Sequence, residues 1–244
     1  MAKQSGLGDY LLIDEYDFSG DIGSLGSISG GPALSEVTGI TVSAPERIGL
    51  LRTGQMEYNA WFNPTAGRAH DILSALPTGD RQQTYCRGLG LGSQAASLIC
   101  KQINYDPTRA ADGALTIAVS SQSNGYGIEW GLQLTPGKRT DTTATNGASI
   151  DGAASSAFGW QAYAHLIAFT GTDVTLTIQD SADNSSFATL TGGGFTQFTA
   201  VGKERIQGGR AATVRRYVRL ATTGTFTSAT FLVNFIRNDT TVNF

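Results

Sequence analysis

Few side chains in this sequence are of the types that carry out chemistry. The two histidines, His70 and His165, are far apart in the chain, and no second His, Cys or carboxylate stands at helical ligand spacing from His70. The sequence contains no G-x-S-x-G nucleophile elbow, no P-loop, and no dinucleotide-binding glycine motif that opens a helix. We therefore expect that the protein is not an enzyme and binds neither a metal nor a cofactor.

Cys86 and Cys100 are the only cysteines. Two thiols are too few for a disulfide framework, and they have no neighbouring partners for a zinc site. They could face each other across a hairpin around Gly88–Ser93. Buried free thiols are the favoured interpretation, and whether the two pair stays open here.

Two polar clusters could bind ions, and both have a simpler structural explanation. Asp180, Asp183 and Asn184 lie in one turn but lack the central Gly and terminal Glu of an EF-hand loop. Asx side chains that bond their own backbone explain this turn equally well. The basic run Arg215–Arg219 alternates faces within a strand, and a salt-bridged edge is favoured there over a phosphate site.

The composition points to a β-protein that is not a general nucleic-acid binder. Charged residues make up 15% of the 244 residues, and there are 31 glycines. Low charge with abundant Gly, Ser and Thr is typical of many short strands joined by tight turns. The net charge of −3 argues against a basic nucleic-acid surface, and several acids cluster near the start of the chain.

The first residues, Met1 to Ser5, lack the apolar region of a secretory signal. No apolar run reaches the roughly 18 residues that a membrane helix needs. We therefore expect synthesis in the cytoplasm and no membrane partner.

The segment Thr41–Gly54 is predicted to be a long loop, because Pro and Gly interrupt its pairing potential. It follows Glu36–Ile40, which alternates as a half-buried strand should. The loop carries Ile48, Leu50 and Leu51, which need cover by another chain or by the protein's own core. Both possibilities remain open at this point.

The only convincing helix is predicted over Pro64–Leu76. Asn63 followed by Pro64 is a typical helix start, and Pro77-Thr78-Gly79 ends the pattern. Ala69, Ile72, Leu73 and Leu76 form one apolar stripe at helical spacing. Ile72, Leu73 and Leu76 are predicted to pack this helix against a sheet.

The sequence predicts two domains. Residues 141–156 have few large apolar side chains and are predicted to be a linker. Beyond them, Ala162–Thr170, Val174–Gln179, Val214–Ala221 and Ala229–Arg237 are predicted as separate strands. Short strands without a helix are typical of a β-sandwich, predicted here as a C-terminal decoration domain over residues 157–244.

The first 135 residues, taken in order, resemble the major tail (tail tube) protein of long-tailed, siphovirus-type bacteriophages, and a tail-tube domain is predicted over residues 1–140. The resemblance lies in an opening Asp17–Ile22, a strand Ser35–Ile40, the long loop and the strand Gln55–Phe62. A short helix ending at Leu76 and paired strands closing at Gly131 follow. The expected fold is all-β: a tail-tube β-sandwich or barrel with one short α-helix, then a C-terminal jelly-roll β-sandwich.

The resemblance implies a structural virion protein, made in the host cytoplasm, whose hexameric rings stack into a tube that conducts DNA to the host. The implied partners are further copies of the chain, a tape-measure protein and a tail-terminator protein, with DNA passing through without specific binding. The residues expected at the contact between rings are Pro45, Glu46, Arg47, Ile48, Leu50, Leu51 and Arg52. The candidates for an acidic lumen or for N-terminal contacts are Asp14, Glu15, Asp17 and Asp21.

The C-terminal part is similar to galactose-binding-like, discoidin-type jelly rolls. The similarity rests on Ile178–Phe187 and on Arg216–Leu220. It implies a fold and does not imply sugar binding. The alternatives to a tube protein are a capsid decoration protein and a carbohydrate-binding module that attaches a phage to its host.

Overall fold

The computed structural model describes residues 7–242. Strands account for 58% of the chain and helix for 2%, which confirms the prediction of an all-β protein with one short helix. The segment Met1–Ser5, on which the expectation of no secretory signal rests, lies outside the described residues. Within them, no helix is both long enough and apolar enough to cross a membrane.

The described residues form fifteen strands and one helix. In chain order these are β1 Tyr10–Ile13, β2 Tyr16–Asp17, β3 Ile22–Glu36, β4 Arg47–Trp61, α1 Ala69–Leu73, β5 Arg81–Cys86, β6 Gln94–Gln102, β7 Asp106–Arg109, β8 Leu115–Ser123, β9 Glu129–Gln133, β10 Arg139–Asp141, β11 Asn146–Asp151, β12 Trp160–Ser181, β13 Ala188–Gly194, β14 Gly202–Gln207 and β15 Tyr217–Arg237.

The chain forms two compact units. The first, which we call the sandwich unit, comprises the described residues within Met1–Gly20, Gln82–Ser97 and Trp130–Phe244. The second, the hairpin unit, comprises Asp21–Arg81 and Leu98–Glu129.

The sandwich unit is built on one long antiparallel hairpin of β12 and β15. The first half of β12 pairs with β14 and with the second half of β15. The second half of β12 pairs with β13 and with the first half of β15, which also pairs with β11. The two halves of the hairpin therefore belong to two different layers.

One apolar core lies between these layers. Trp160 from the first layer is fully buried and lies 3.9 Å from the position that a Cβ on Gly192 of the second layer would occupy. Alternate residues of both halves of β12 join the same core, with Leu166 before the bend and Val174 after it. The C-terminal part is thus the predicted β-sandwich.

Two glycines allow the long hairpin to bend between its layers. The register shifts on both sides of Gly171, as expected at β-bulges. A Cβ at Gly171 would lie 2.4 Å from Cα of Phe226, and one at Gly224 would lie 2.5 Å from the carbonyl oxygen of Asp173. Gly224 also has a φ of +124°, a conformation that side chains disfavour.

A buried polar network holds the N-terminal strands in the sandwich unit. The Nδ1–H of His165 donates to the carbonyl oxygen of Asp14 at 2.6 Å, because a carbonyl can only accept. Its Nε2 then accepts from the hydroxyl of Thr84 at 2.8 Å. Burial lowers the pKa of His165 to about 4, so the ring is neutral at pH 7.

The compact units divide the chain differently from the predicted domains 1–140, 141–156 and 157–244. Strand β1 pairs with β5 inside the sandwich unit. Residues near the start of the chain therefore belong to the same unit as the C-terminal strands. The predicted linker contains β11, Asn146–Asp151, which pairs with β15. Backbone pairing orders this segment even though it has few large apolar side chains.

The hairpin unit has a simpler order. Strand β3 pairs with β4, β4 pairs with β8, and β8 pairs with β7 and with the end of β6. Its buried side chains include Met56 and Tyr58 of β4 and Ile117 and Val119 of β8.

The helix is shorter than predicted, and its apolar stripe is only partly buried. It spans Ala69–Leu73 rather than Pro64–Leu76. Leu73 is fully buried and Ile72 is partly buried, whereas Leu76 is 46% exposed. Leu76 lies beyond the helix with a φ of +42°, so the assumption of continued helical spacing was wrong there.

Both cysteines are free and buried, as the sequence favoured. Burial raises the pKa of the Cys86 thiol well above its usual range, which leaves it unreactive.

We predict that Leu73→Ala lowers the free energy of unfolding by about 2–5 kcal/mol, because it removes a fully buried side chain. Leu76→Ala serves as the matched control and is expected to cost much less, since Leu76 is half exposed. Urea denaturation followed by circular dichroism measures both. Equal costs for the two variants would contradict the helix packing described here.

We also predict that the protein becomes less stable below pH 6.5. The unfolded chain binds a proton at His165 near pH 6.5, but the folded chain binds it only near pH 4, so stability falls as the pH drops through this window. Between pH 7 and pH 5 this group contributes a loss of about 2 kcal/mol. Urea denaturation at both pH values measures the loss, and His165→Gln should lack this component. An unchanged pH dependence in that variant would contradict the assignment.

Candidate assembly surface on the hairpin of β3 and β4

The two strands of the hairpin unit's long hairpin are paired along their whole length. The register runs from Ile22 opposite Ala60, near the base, to Glu36 opposite Arg47, near the tip. Among the described residues β3 pairs with β4 alone. Its outer edge is therefore a row of backbone groups that a further strand could use.

Only the basal half of β4 has a strand on its other side. Strand β8 pairs with β4 from Gln55 to Trp61. The cover ends at Gly54, where a Cβ would lie 2.5 Å from the backbone nitrogen of Ile128. From Arg47 to Thr53 the strand is exposed.

Large apolar side chains of β4 continue beyond this point, at Ile48 and Leu50. The register with β3 shifts between the pairs Pro32–Arg52 and Leu34–Gly49, so the regular alternation of faces is interrupted between the base and the outer half of the strand. Met56 and Tyr58 are almost completely buried, whereas Ile48 and Leu50 are 49% and 50% exposed. The large apolar side chains of β4 are thus buried at its base and half exposed in its outer half.

The β3 side of the outer hairpin carries an exposed apolar side chain as well. Leu34 is paired with Gly49, next to the register irregularity that contains Leu51. Leu34 and Leu51 are both exposed, Leu51 to 84%. A two-stranded ribbon whose side chains are exposed is marginally stable by itself, so the outer hairpin is the least supported part of this unit.

The predicted loop over Thr41–Gly54 is wrong in its second half. Pro45 and Glu46 precede β4, whereas Arg47, Ile48, Leu50, Leu51 and Arg52 lie within it. Long-range pairing with β3 overrides the local preferences of Gly49 and Gly54, both of which are accommodated inside the strand. The contact role predicted for the seven residues Pro45, Glu46, Arg47, Ile48, Leu50, Leu51 and Arg52 stays a prediction.

Sequence reasoning missed the apolar residues on the β3 side and at the tip. Leu34, Val37, Ile40 and Val42 are all exposed, whereas Glu36–Ile40 was predicted to be a half-buried strand. The apolar side chains on both sides of the Pro45 region were a usable signal, because they suggest two arms of one hairpin.

Most of the predicted acidic residues form ion pairs within their own units. Asp14 forms an ion pair with Lys203, and Asp17 forms one with Lys138. Burial alone would raise the pKa of Asp17, but hydrogen bonds from Lys138 and Ser19 outweigh it and leave this pKa below its ordinary value.

Asp21 helps to position the short helix. Its carboxylate accepts hydrogen bonds from the side chain of Asn63 at 2.9 Å and from the backbone N–H of Ala69 at 3.2 Å. Arg68 lies 4.0 Å away. Glu15, in the turn between β1 and β2, is partly buried.

The two candidate ion-binding clusters are occupied by contacts within the chain. Asp183 accepts hydrogen bonds from the backbone of Ser185 and Ser186 and from the hydroxyl of Ser181. These bonds hold the pKa of the Asp183 carboxyl well below its usual range. The turn is therefore an Asx turn of the kind considered above.

The basic cluster is salt-bridged, as the sequence favoured. Arg215 pairs with Asp180, and Arg216 pairs with Asp151. Over residues 7–242, no group of three or more His, Cys, Asp or Glu side chains is arranged to hold a metal ion.

Comparisons with known proteins give only remote structural likenesses. No family model matches the chain, and no curated protein matches its sequence. The chain is similar to the tail of an empty GTA particle with C6 symmetry, at 15% identity and a TM-score of 0.40, over 52% of this chain and 98% of that one.

Two further likenesses cover more of the chain. The Dit protein of phage SPP1, described as a hub adsorption apparatus of phages that infect Gram-positive bacteria, matches at 9% identity with a TM-score of 0.34. This match covers 94% of the present chain and 99% of the SPP1 chain. A chain of the phage p2 baseplate in its activated conformation matches at 9% identity with a TM-score of 0.34, over 96% and 99%. All these scores are low, and none of the likenesses assigns a function.

We predict that the outer hairpin exchanges its amide protons much faster than its base in the dilute, unassembled protein. The outer part of β4, before Gly54, has one strand partner and two exposed faces, whereas Met56–Ala60 lies between two strands. Hydrogen exchange read by mass spectrometry distinguishes these peptides. Equal protection would show that the outer hairpin is covered by its own chain.

Proposed function

We propose that this protein is a structural subunit of a bacteriophage tail, and that its hexameric rings stack into the tail tube. The observation that carries the proposal is the exposure of the large apolar side chains in the outer half of β4, Ile48, Leu50 and Leu51. A cluster of exposed apolar side chains is suited to a contact between subunits.

Burial of these side chains would favour assembly. Ile48 and Leu50 are half exposed, and Leu51 is largely exposed. Burying the remaining surface of these three side chains would contribute about 3–5 kcal/mol per subunit. Each contact is modest, but a subunit in a stacked ring makes the contact on both of its sides, so a polymer is favoured once the first rings have formed.

The open edge of β3 supports a ring rather than an isolated dimer. An exposed strand edge of this length promotes uncontrolled association unless another strand covers it. Strands from neighbouring subunits that close into one barrel remove every such edge. The tube architecture implied by the sequence resemblance provides this arrangement.

The remaining parts of the proposal follow from the same resemblance. The partners are other copies of the chain, a tape-measure protein and a tail-terminator protein, in a virion assembled in the host cytoplasm. DNA passes through the tube without specific binding, which suits a chain with a net charge of −3. The proposed lumen role of Asp14, Glu15, Asp17 and Asp21 rests mainly on Glu15, since the other three are paired.

Two other structural roles would use the same hairpin differently. A capsid decoration protein would bind a different virion protein through it, and a host-attachment module would bind a carbohydrate elsewhere. Neither role requires the purified chain to polymerise with itself. Self-assembly therefore separates the proposal from both alternatives.

We predict that Leu50→Asp leaves a folded protein that does not form tubes, because a carboxylate at this position would be desolvated in the contact. Ile103→Asp is the matched control: Ile103 is 52% exposed, like Leu50, and belongs to the same unit. Circular dichroism checks folding, and negative-stain electron microscopy with sedimentation velocity checks assembly.

Tubes from the wild type and from Ile103→Asp, with none from Leu50→Asp, are the expected result. Normal polymerisation of Leu50→Asp would remove the hairpin from the contact. A wild-type protein that stays monomeric at high concentration would contradict the proposed function itself.

A further inference from the structure

The base of the hairpin unit is a small sheet with two unlike faces. Strand β4 pairs with β3 on one side and with β8 on the other, and β8 pairs with β7. Between Gln55 and Trp61 the pairing of β4 with β8 runs without a register shift, so successive residues lie on opposite faces. One face carries Met56, Tyr58 and Ile117, which are buried.

The other face of this sheet, which we call the polar face, is not buried. Its residues are exposed or partly exposed, and they are Gln55, Glu57, Asn59 and Trp61 of β4 with Thr116, Ala118, Ser120 and Gln122 of β8. Among these residues only Trp61 is large and apolar. The face therefore lacks the apolar character of a surface that packs against protein.

Hydrogen bonds join the polar face across three strands. The hydroxyl of Ser27 on β3 donates to the carboxylate of Glu57 at 3.0 Å. The side-chain amide of Gln55 donates to the same carboxylate and to the hydroxyl of Ser120 on β8, the latter at 3.2 Å. The Glu57 carboxylate is thus held in a fixed position on the face.

The charge on the polar face is negative. Strands β3 and β8 contain no Lys or Arg, and neither does the basal half of β4. Glu57 is joined on the face by Asp106 of β7, which lies opposite Ala118. Lys101 of β6 lies opposite Gln122 and forms an ion pair within the same unit. A polyanion at this face would therefore meet two carboxylates and a neutralised lysine.

We propose that the polar face lines the lumen of the tube, so that Glu57 and Asp106 face the DNA that passes through it. This inference rests on the proposed function. If neighbouring subunits pair at the free edge of β3, the sheet becomes part of a barrel wall, which has one inner and one outer face. Protein already packs against the face that carries Met56 and Tyr58. The open lumen then has to lie on the polar side.

This wall has the chemistry that passage without binding requires. Proteins hold DNA mainly through Lys and Arg side chains that replace the counterions of its phosphates. Carboxylates repel the phosphates instead, so the duplex slides along the wall. Glu57 and Asp106 belong to the sheet itself, whereas Asp14, Glu15 and Asp17 belong to the sandwich unit. The inference therefore places the principal lumen charges in the hairpin unit.

The accessibility of an introduced thiol in assembled tubes tests this assignment. Asn59→Cys places a thiol on an exposed part of the polar face, and Ala182→Cys, in an exposed bend of the sandwich unit, is the control. The native Cys86 and Cys100 are buried and do not compete. Each variant is treated, as tubes and as unassembled protein, with a small maleimide dye and with a maleimide attached to a protein too wide for the lumen.

The small dye should label Asn59→Cys in both states, because it diffuses into the tube. The bulky reagent should label Asn59→Cys only in the unassembled protein, whereas Ala182→Cys should react with both reagents in both states. If Asn59→Cys does not assemble, Gln122→Cys replaces it, since Gln122 is an exposed residue of the same face.

The outcomes distinguish the inference from the proposed function. Labelling of Asn59→Cys tubes by the bulky reagent as fast as unassembled protein would place the polar face outside and overturn the inference, leaving the tube proposal intact. Protection from the small dye as well would place the face in a contact between subunits and also overturn it. A wild type that does not assemble would overturn both.

Discussion

An isolated pair of antiparallel strands is only marginally stable in water, and a third strand or packing against one face is needed to support it. This constraint bears on both units of the protein. In the hairpin unit, β8 pairs with the base of β4 as far as Gln55. From Thr53 to Arg47, β4 is paired with β3 alone among the described residues, and its residues are exposed. The outer hairpin is therefore the part of this unit that its own chain supports least.

The sandwich unit satisfies the same constraint within its own chain. Strands β12 and β15 are also a long hairpin, of 22 and 21 residues. Bulges and two crowded glycines, Gly171 and Gly224, let this hairpin fold over so that each half covers the other. Bending buries the apolar side chains of this hairpin internally, whereas Ile48 and Leu50 of the β3–β4 hairpin stay half exposed.

Features set by local chemistry could be predicted from the sequence. The all-β class followed from composition, the burial of Leu73 from helical spacing, and the Asx turn at Asp183 from the preference of such side chains for their own backbone. The apolar character of Ile48, Leu50 and Leu51 identified the candidate surface even though its secondary structure was predicted wrongly. Each of these features depends on residues within a few positions of one another.

Features set by pairing over long distances could not be predicted. Nothing near Tyr10 shows that β1 pairs with β5 in the same unit as His165, and nothing near Asn146 shows that β15 orders this segment. The same limit applies to Gly54, which was predicted to lie in a loop. Its spatial neighbour Ile128 is far away in sequence, so the sequence around Gly54 does not reveal the contact. Glycine in a strand has two opposite meanings, a break in pairing or a close approach of another backbone. The two meanings can be told apart only when the strand that packs against the glycine is known, and a single sequence does not show which strand that is.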